Sequence, residues 1–159
     1  MQEKIKTLPE LLSIRKRLKD EGKRVVFTNG CFDLLHIGHI RYLAEAKSQG
    51  DVLFVGVNSD SSVRKLKGDK RPLVKDVERA EILAALAVCD YVTIFDELTP
   101  ESLIRALQPD VHVKGGDYRK EDLPEAELVE SYGGEVVLVN LILDHSTTDL
   151  IKVILERYS

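Results

Sequence analysis

Five short apolar runs, each followed by a longer stretch with helical spacing, leave this chain few folds to adopt. The runs occupy residues 24–28, 52–57, 91–95, 111–113 and 135–139. Val, Leu, Ile and Phe dominate them without strict polar alternation, as in RVVFT and VLFVGV. A strand of that kind is buried on both faces, the usual condition of strands in a parallel sheet. Helical segments between such strands act as crossovers and cover both sides of the sheet. The pattern predicts a three-layer α/β sandwich of Rossmann-like type around a five-stranded parallel sheet.

The helical segments carry their own punctuation. Thr7 with Glu10 three residues on reads as a capping box, followed by a stripe of Leu8, Leu11, Leu12 and Leu18 and a stop at Gly22. Helices are predicted over 37–49, 59–66, 124–132 and 147–157. Asp76 is expected to cap a helix running to residue 87. Thr99 is expected to cap one running to Leu107, with Pro100 at its first helical position. The chain reads as a single domain, 1–159, with an N-terminal helix over 1–22 and a core over 24–157.

Composition narrows the function classes. The 159 residues are 43% hydrophobic and 31% charged, enough for a core without disulfides or metal. Net charge is −4, which disfavours nucleic-acid partners. No apolar run approaches the length of a membrane span, and the opening MQEKIKTLPE has no signal-peptide character. The expectation is a cytoplasmic protein with no membrane partner. Cys31 and Cys89 lack disulfide or zinc spacing and are read as reduced thiols.

In a parallel α/β sheet, ligands bind beyond the carboxyl ends of the strands, where strand order switches. That directs attention to residues 28–39, 114–118 and 140–148. The first of these loops runs from a buried strand into a helix start. It holds His36 and His39, three residues apart, with Gly38 between them. Two imidazoles on one helical face, a helix N-terminus and a residue without a side chain make a cradle for phosphate oxygens. No Walker-type GxxxxGK[ST] is present. A metal site built from the two histidines and Asp33 is the alternative, and no further close Cys or His supports it.

These residues carry a resemblance. His36–His39, read as HIGH, is similar to the HxGH signature of a nucleotidyltransferase superfamily related to class I aminoacyl-tRNA synthetases. Residues 25–157 resemble its small cytidylyltransferase-like branch, and within it the adenylyltransferases that act on heptose 1-phosphates. The stretches FTNGCFD (27–33), GVNSD (56–60), KGGDY (114–118) and STT (146–148) match in order and spacing.

The resemblance implies that His36 and His39 bind the nucleotide's phosphates and stabilise charge building there. Thr28, Asn29, Gly30, Phe32 and Gly38 would line the same pocket. Asp117 would sit near the nucleoside, with Gly115 and Gly116 letting the backbone pass close. Ser146 and Thr147 would add phosphate donors at the last helix start, and a plain N-cap is the other reading of Ser146. Lys47 matches a family lysine. Helical arithmetic puts it on the His36 face, about 16 Å along the axis, as a clamp on the acceptor's phosphate. Asp33, Arg71 and Arg79 are expected on the acceptor side with it.

The match has departures. No Arg precedes the STT motif in residues 141–144, as in the heptose branch. Asp144 stands where a Gly is usual, and Asp149 and Ile151 stand where basic residues often follow, with Lys152 displaced.

The implied reaction is attack of a sugar 1-phosphate oxygen on the α-phosphate of ATP, with pyrophosphate leaving. Mg²⁺ would be held mainly by the nucleotide's phosphates. The expected partners are ATP and a sugar phosphate, with a homodimer allowed and a sugar kinase on a separate chain. Two other readings stay open: a CTP-dependent cytidylyltransferase for glycerol 3-phosphate or a similar small phosphate, and a non-catalytic nucleotide-binding module.

Overall fold

A computed structural model describes residues 1–140 and 146–159. Its five strands are β1 (Val25–Gly30), β2 (Val52–Asn58), β3 (Tyr91–Phe95), β4 (Val111–Gly115) and β5 (Glu135–Val139). They form one sheet in the order β3-β2-β1-β4-β5. Every pairing is parallel, with Val25 opposite Val52 and Val26 opposite Val111. The chain winds outward from β1 to β3, then returns to place β4 on the other side of β1. The strand order therefore switches between β1 and β4.

Among the described residues seven α-helices accompany the strands: α1 (Leu8–Asp20), α2 (Ile37–Ser48), α3 (Asp60–Lys67), α4 (Asp76–Ala85), α5 (Glu101–Leu107), α6 (Pro124–Ser131) and α7 (Thr147–Tyr158). Successive residues of a strand face opposite sides, and the core divides accordingly. Val26, Val55, Val57 and Val113 pack with Leu43 and Ala46 of α2 and with Ala80 and Leu83 of α4. Val25, Phe27 and Phe54 pack on the other side with Leu11 of α1, Ile104 and Leu107 of α5, and Val129 of α6. These are the three expected layers. α7 buries none of its own residues. Among the described residues no helix is long and apolar enough to cross a membrane.

Two helix starts differ from expectation. Lys75, not Asp76, is the N-cap of α4. Asp76 lies in the first turn because its carboxylate accepts the Asp60 N–H at 2.9 Å while Asp60 accepts the Asp76 N–H at 2.8 Å. This exchange splices the start of α4 to the start of α3. Pro100 itself caps α5, one residue later than predicted, and α4 ends at Ala85.

Candidate active site

A cleft of about 690 Å³ opens at the carboxyl ends of the strands. It lies where the switch between β1 and β4 places it. The residues that line it include 29–33, His36, Gly38, His39, 114–115 and 146–148. The expected loops thus converge. Within the third loop only 140 and 146–148 are described, so the departure at Asp144 falls outside the described residues.

His36 is the N-cap of α2 and not a residue of its first turn. Its Nδ1 accepts the Gly38 N–H at 3.2 Å, and the His36 N–H donates to His39 Nδ1 at 3.4 Å. A neutral imidazole whose Nδ1 accepts must carry its proton on Nε2. Both rings are thereby set as Nε2–H donors. Burial, then the neighbouring His36 ring, pushes His39 down to about 4, so it is neutral at physiological pH. The Gly38 amide, expected to meet a phosphate, is instead taken by His36. The imidazoles stand in for part of the helix terminus.

Phe32 supports the pair from behind. It adopts φ 47, is 5% exposed, and its ring centroid lies 5.6 Å from that of His39. Its ring also covers Gly30, where an added Cβ would stand 3.0 Å from Phe32 Cε2. Gly30 is therefore a packing requirement as much as a ligand approach. Asn29 lines the cleft, and its Oδ1 is buried with no hydrogen-bond partner among the described residues. A ligand donor is the missing partner such an atom calls for.

Five predicted contacts are corrected by the geometry. Thr28 is sealed in the core. Its hydroxyl lies against the Tyr42 hydroxyl and donates to Val113 O at 2.9 Å, so it ties β1 to α2 and β4. Asp117 is exposed and does not line the cleft, nor does Gly116. Gly116 sits at φ +130, where an added Cβ would come within 2.6 Å of Tyr118 Cε2, so it serves the turn. Lys47 lies at the far end of α2 from the cleft. Its Nζ donates to Asp51 O at 2.6 Å and pairs with Asp90 at 2.5 Å, just ahead of β2 and β3. Arg79 is 1% exposed and every contact is internal. It donates to Val74 O, Cys31 O and Asn58 O at 2.9, 2.5 and 2.7 Å and pairs with Asp60 at 2.9 Å. It binds loops together, not an acceptor.

Asp33 is a partial correction. Its carboxylate has no exposed side-chain surface and is consumed by Arg71 Nε at 2.5 Å, Leu73 N at 2.8 Å and Val74 N at 2.9 Å. It is the anchor that holds Arg71 in the cleft wall. Arg71 lines the cleft as predicted, and among the described residues its terminal nitrogens make no hydrogen bond. Thr147 also lines the cleft, with its hydroxyl donating to Leu34 O at 3.2 Å. Ser146 caps α7, accepting from Asp149 N at 3.1 Å, while its own proton goes to Asp149 Oδ2 at 2.5 Å. Asp149, the departure from the family's basic residue, therefore competes with any anion at this terminus.

Sequence reasoning missed Lys67, Lys114, Tyr118 and Glu125, all in the cleft wall. Lys114 and Tyr118 stand at the two ends of KGGDY and could have been read from it. Nothing local marks Glu125.

Among the described residues no group of three or more His, Cys, Asp or Glu could hold a metal ion. The cleft's carboxylates at Asp33 and Glu125 already serve protein partners.

Comparison with known proteins shows the chain's family and fold. The bifunctional protein HldE of Geobacter metallireducens is 58% identical over 155 residues, covering 98% of this chain and 32% of the relative. The chain thus spans about a third of the length of the curated relatives it matches. The crystal structure of a lipopolysaccharide core biosynthesis protein from Thermoplasma volcanium is 31% identical, with a TM-score of 0.61 over 76% of this chain and 98% of that one. A pantoate-beta-alanine ligase from Francisella tularensis, 15% identical with a TM-score of 0.62 over 86% of this chain and 66% of that one, shares the fold. The family model described as cytidylyltransferase-like matches residues 27–152, most of the chain, and the chain belongs to that family.

Proposed function

We propose that this chain transfers AMP from ATP to D-glycero-β-D-manno-heptose 1-phosphate, giving ADP-heptose and pyrophosphate. The observation that carries the reading is the histidine pair at the N-terminus of α2, with each Nδ1 turned to a backbone N–H and both side chains lining the cleft. The names of the similar proteins, a bifunctional HldE and a lipopolysaccharide core biosynthesis protein, support the heptose acceptor.

The chemistry asks little of the protein beyond placement. An oxygen of the sugar 1-phosphate attacks the α-phosphorus of ATP. The new P–O bond forms as the bond to the bridging oxygen of the β-phosphate breaks, and pyrophosphate carries that electron pair away. A phosphate monoester is already nucleophilic near neutral pH, so no general base is required. Negative charge shifts onto the leaving pyrophosphate, where the two Nε2–H groups and the start of α2 stabilise it. Arg71, fixed by Asp33, presents its terminal nitrogens to a phosphate of the acceptor. Mg²⁺ would enter with the nucleotide as part of the substrate, on phosphate oxygens and water. A sugar kinase must supply the acceptor, and the cytoplasm is where both reactions would find ATP.

Pyrophosphate release tests the proposal. The purified chain is offered ATP or CTP with heptose 1-phosphate or glycerol 3-phosphate. Release from ATP with the heptose is expected. A preference for CTP with glycerol 3-phosphate moves the chain to the cytidylyltransferase reading, and nucleotide binding without release in any combination makes it a binding module.

A further inference from the structure

The wall of the cleft opposite the histidines holds a buried charge cluster that the reaction above does not use. Lys114 stands at the carboxyl end of β4, and Glu125 in the first turn of α6. Lys114 Nζ lies 3.2 Å from Glu125 Oε1, with side-chain exposures of 23% and 5%. His112, two residues earlier on β4, is fully buried, and its Nε2 lies 3.5 Å from the same oxygen. Its ring stacks on Phe27 at 5.7 Å, which fixes its plane. As the donor to a carboxylate, Nε2 carries the proton, and Nδ1 is left buried without a partner. Lys114 Nζ also lies 6.0 Å from the Tyr118 ring centroid, within reach of a weak cation–π attraction.

A buried ion pair of this kind is a poor way to gain stability, since an apolar pair of similar volume does as well or better. Here the two partners are not equally buried. Both line the cleft, but Glu125 is almost covered while Lys114 keeps part of its side chain exposed. The arrangement resembles that of Asp33 behind Arg71 on the other side. In both, a nearly covered carboxylate holds a more exposed cation at the cleft surface. An ammonium has three N–H donors, and Glu125 Oε1 occupies one direction.

We propose that Lys114 is a ligand-contacting cation of this cleft, taking a phosphate oxygen of the bound substrates, and that Glu125, anchored by His112, is its positioning residue. This rests on the nucleotidyl-transfer reading for the identity of the ligands. A compact ammonium on a four-carbon stem needs such an anchor, because its own rotamers are many. The phosphate belongs either to the nucleotide or to the sugar phosphate, and the two are separable by measurement.

The test uses the whole chain with Lys114→Met, Lys114→Arg, Glu125→Gln and the Lys114→Met/Glu125→Gln double variant. KM for ATP and for heptose 1-phosphate, kcat, and ATP binding by calorimetry are read for each, with thermal melting alongside. Lys114→Met is expected to raise one of the two KM values roughly ten- to hundredfold, the scale of a hydrogen bond to a charged group. An ATP effect that calorimetry repeats assigns the nucleotide's phosphate, and an effect on the heptose 1-phosphate alone assigns the acceptor's. Lys114→Arg keeps the charge and should recover part of the loss. Glu125→Gln should raise the same KM by less, and the double variant should be no worse than Lys114→Met alone, as for two residues acting through one ammonium. The double variant leaves no uncompensated charge, so it reports the loss even where a single variant fails to fold. Unchanged KM values for both substrates in folded Lys114→Met, with wild-type turnover normal, overturn the proposal. Additive effects of the two substitutions overturn the positioning role. A wild-type chain that releases no pyrophosphate fails the transfer reading instead, and ATP calorimetry on Lys114→Met then decides the assignment: weakened binding supports it, and unchanged binding overturns it.

Discussion

The ring of His36 lies 3.9 Å from that of His39, with 34° between their planes. The two are joined through the backbone as well, because the His36 N–H donates to His39 Nδ1 while His36 Nδ1 holds the Gly38 N–H. Backbone N–H groups set the two tautomers, and the ring contact fixes the placement of one ring against the other. The pair behaves as one preset donor unit at the start of α2, so its loss should appear in the chemical step more than in folding.

His36→Ala and His39→Ala should each lower kcat by roughly 10²–10³, by analogy with deletion of an oxyanion-hole donor. Both side chains line the cleft, so thermal stability should stay within about a kcal/mol. Steady-state kinetics beside thermal melts separate the two effects. Near-normal turnover by folded His39→Ala would remove the pair from catalysis.

The same burial predicts an acid limb of stability. His39 is pushed from 6.5 down to about 4 in the folded chain. The unfolded chain then binds more protons than the folded one between those values, so stability falls as pH drops from about 6.5 towards 4. His39→Ala should flatten that limb while leaving melting temperatures above pH 7 nearly unchanged. Melting curves across pH 4 to 8 for both proteins check this, and parallel curves would refute it.

Lys47→Ala should leave the KM of both substrates unchanged. Its ion pair with Asp90 is partly exposed, with side-chain exposures of 29% and 32%, and pairs of that kind contribute about 0–1 kcal/mol. Asp90 also accepts the Leu53 N–H at 2.7 Å, so it keeps a role once the lysine is gone. A raised acceptor KM in this variant would return Lys47 to the site.

What was legible in the sequence follows from how local each signal is. Strands buried on both faces read as continuous apolar runs, so the sheet and its layers could be placed. The histidines are sequence neighbours around a strand-to-helix turn, and their cradle could be read directly. Lys47 misled although the warning was present. An axial distance of about 16 Å from His36 is longer than a lysine side chain can span. Arg79 precedes Leu83 by four residues, on the stripe that faces the core. Thr28 shares its face of β1 with Val26, so strand parity alone turns it inward. The meeting of His112, Lys114 and Glu125 has no such signal, because it depends on how α6 docks beside β4.

Arg79→Met should be among the most damaging single changes in the chain. The guanidinium gathers the carbonyls of Cys31, Asn58 and Val74 and the carboxylate of Asp60. Removing one partner of a buried charged network costs about 3–5 kcal/mol. Urea unfolding measures it. Arg79→Lys should recover little, since one ammonium cannot reproduce the planar fork. A stable Arg79→Met protein with a raised acceptor KM would instead support direct acceptor binding.

The start of α7 gives opposing effects from one substitution. Ser146 donates its proton to Asp149 at 2.5 Å, and the Asp149 N–H returns to Ser146 at 3.1 Å. The cap is complete within the helix, and its carboxylate repels an approaching phosphate. Asp149→Asn keeps an acceptor for the Ser146 proton and removes the charge. A negative charge in a first turn stabilises a helix by about 0.3–1 kcal/mol, so the variant should be less stable by that amount. The same charge change should lower the KM for ATP by roughly two- to fivefold, because no carboxylate then repels the nucleotide from the positive end of the helix dipole. Stability and affinity should therefore move in opposite directions. Urea unfolding and ATP kinetics on one preparation read both. A loss of stability with an unchanged or raised KM would show that the nucleotide does not meet this helix terminus, and would leave Ser146 as a cap alone.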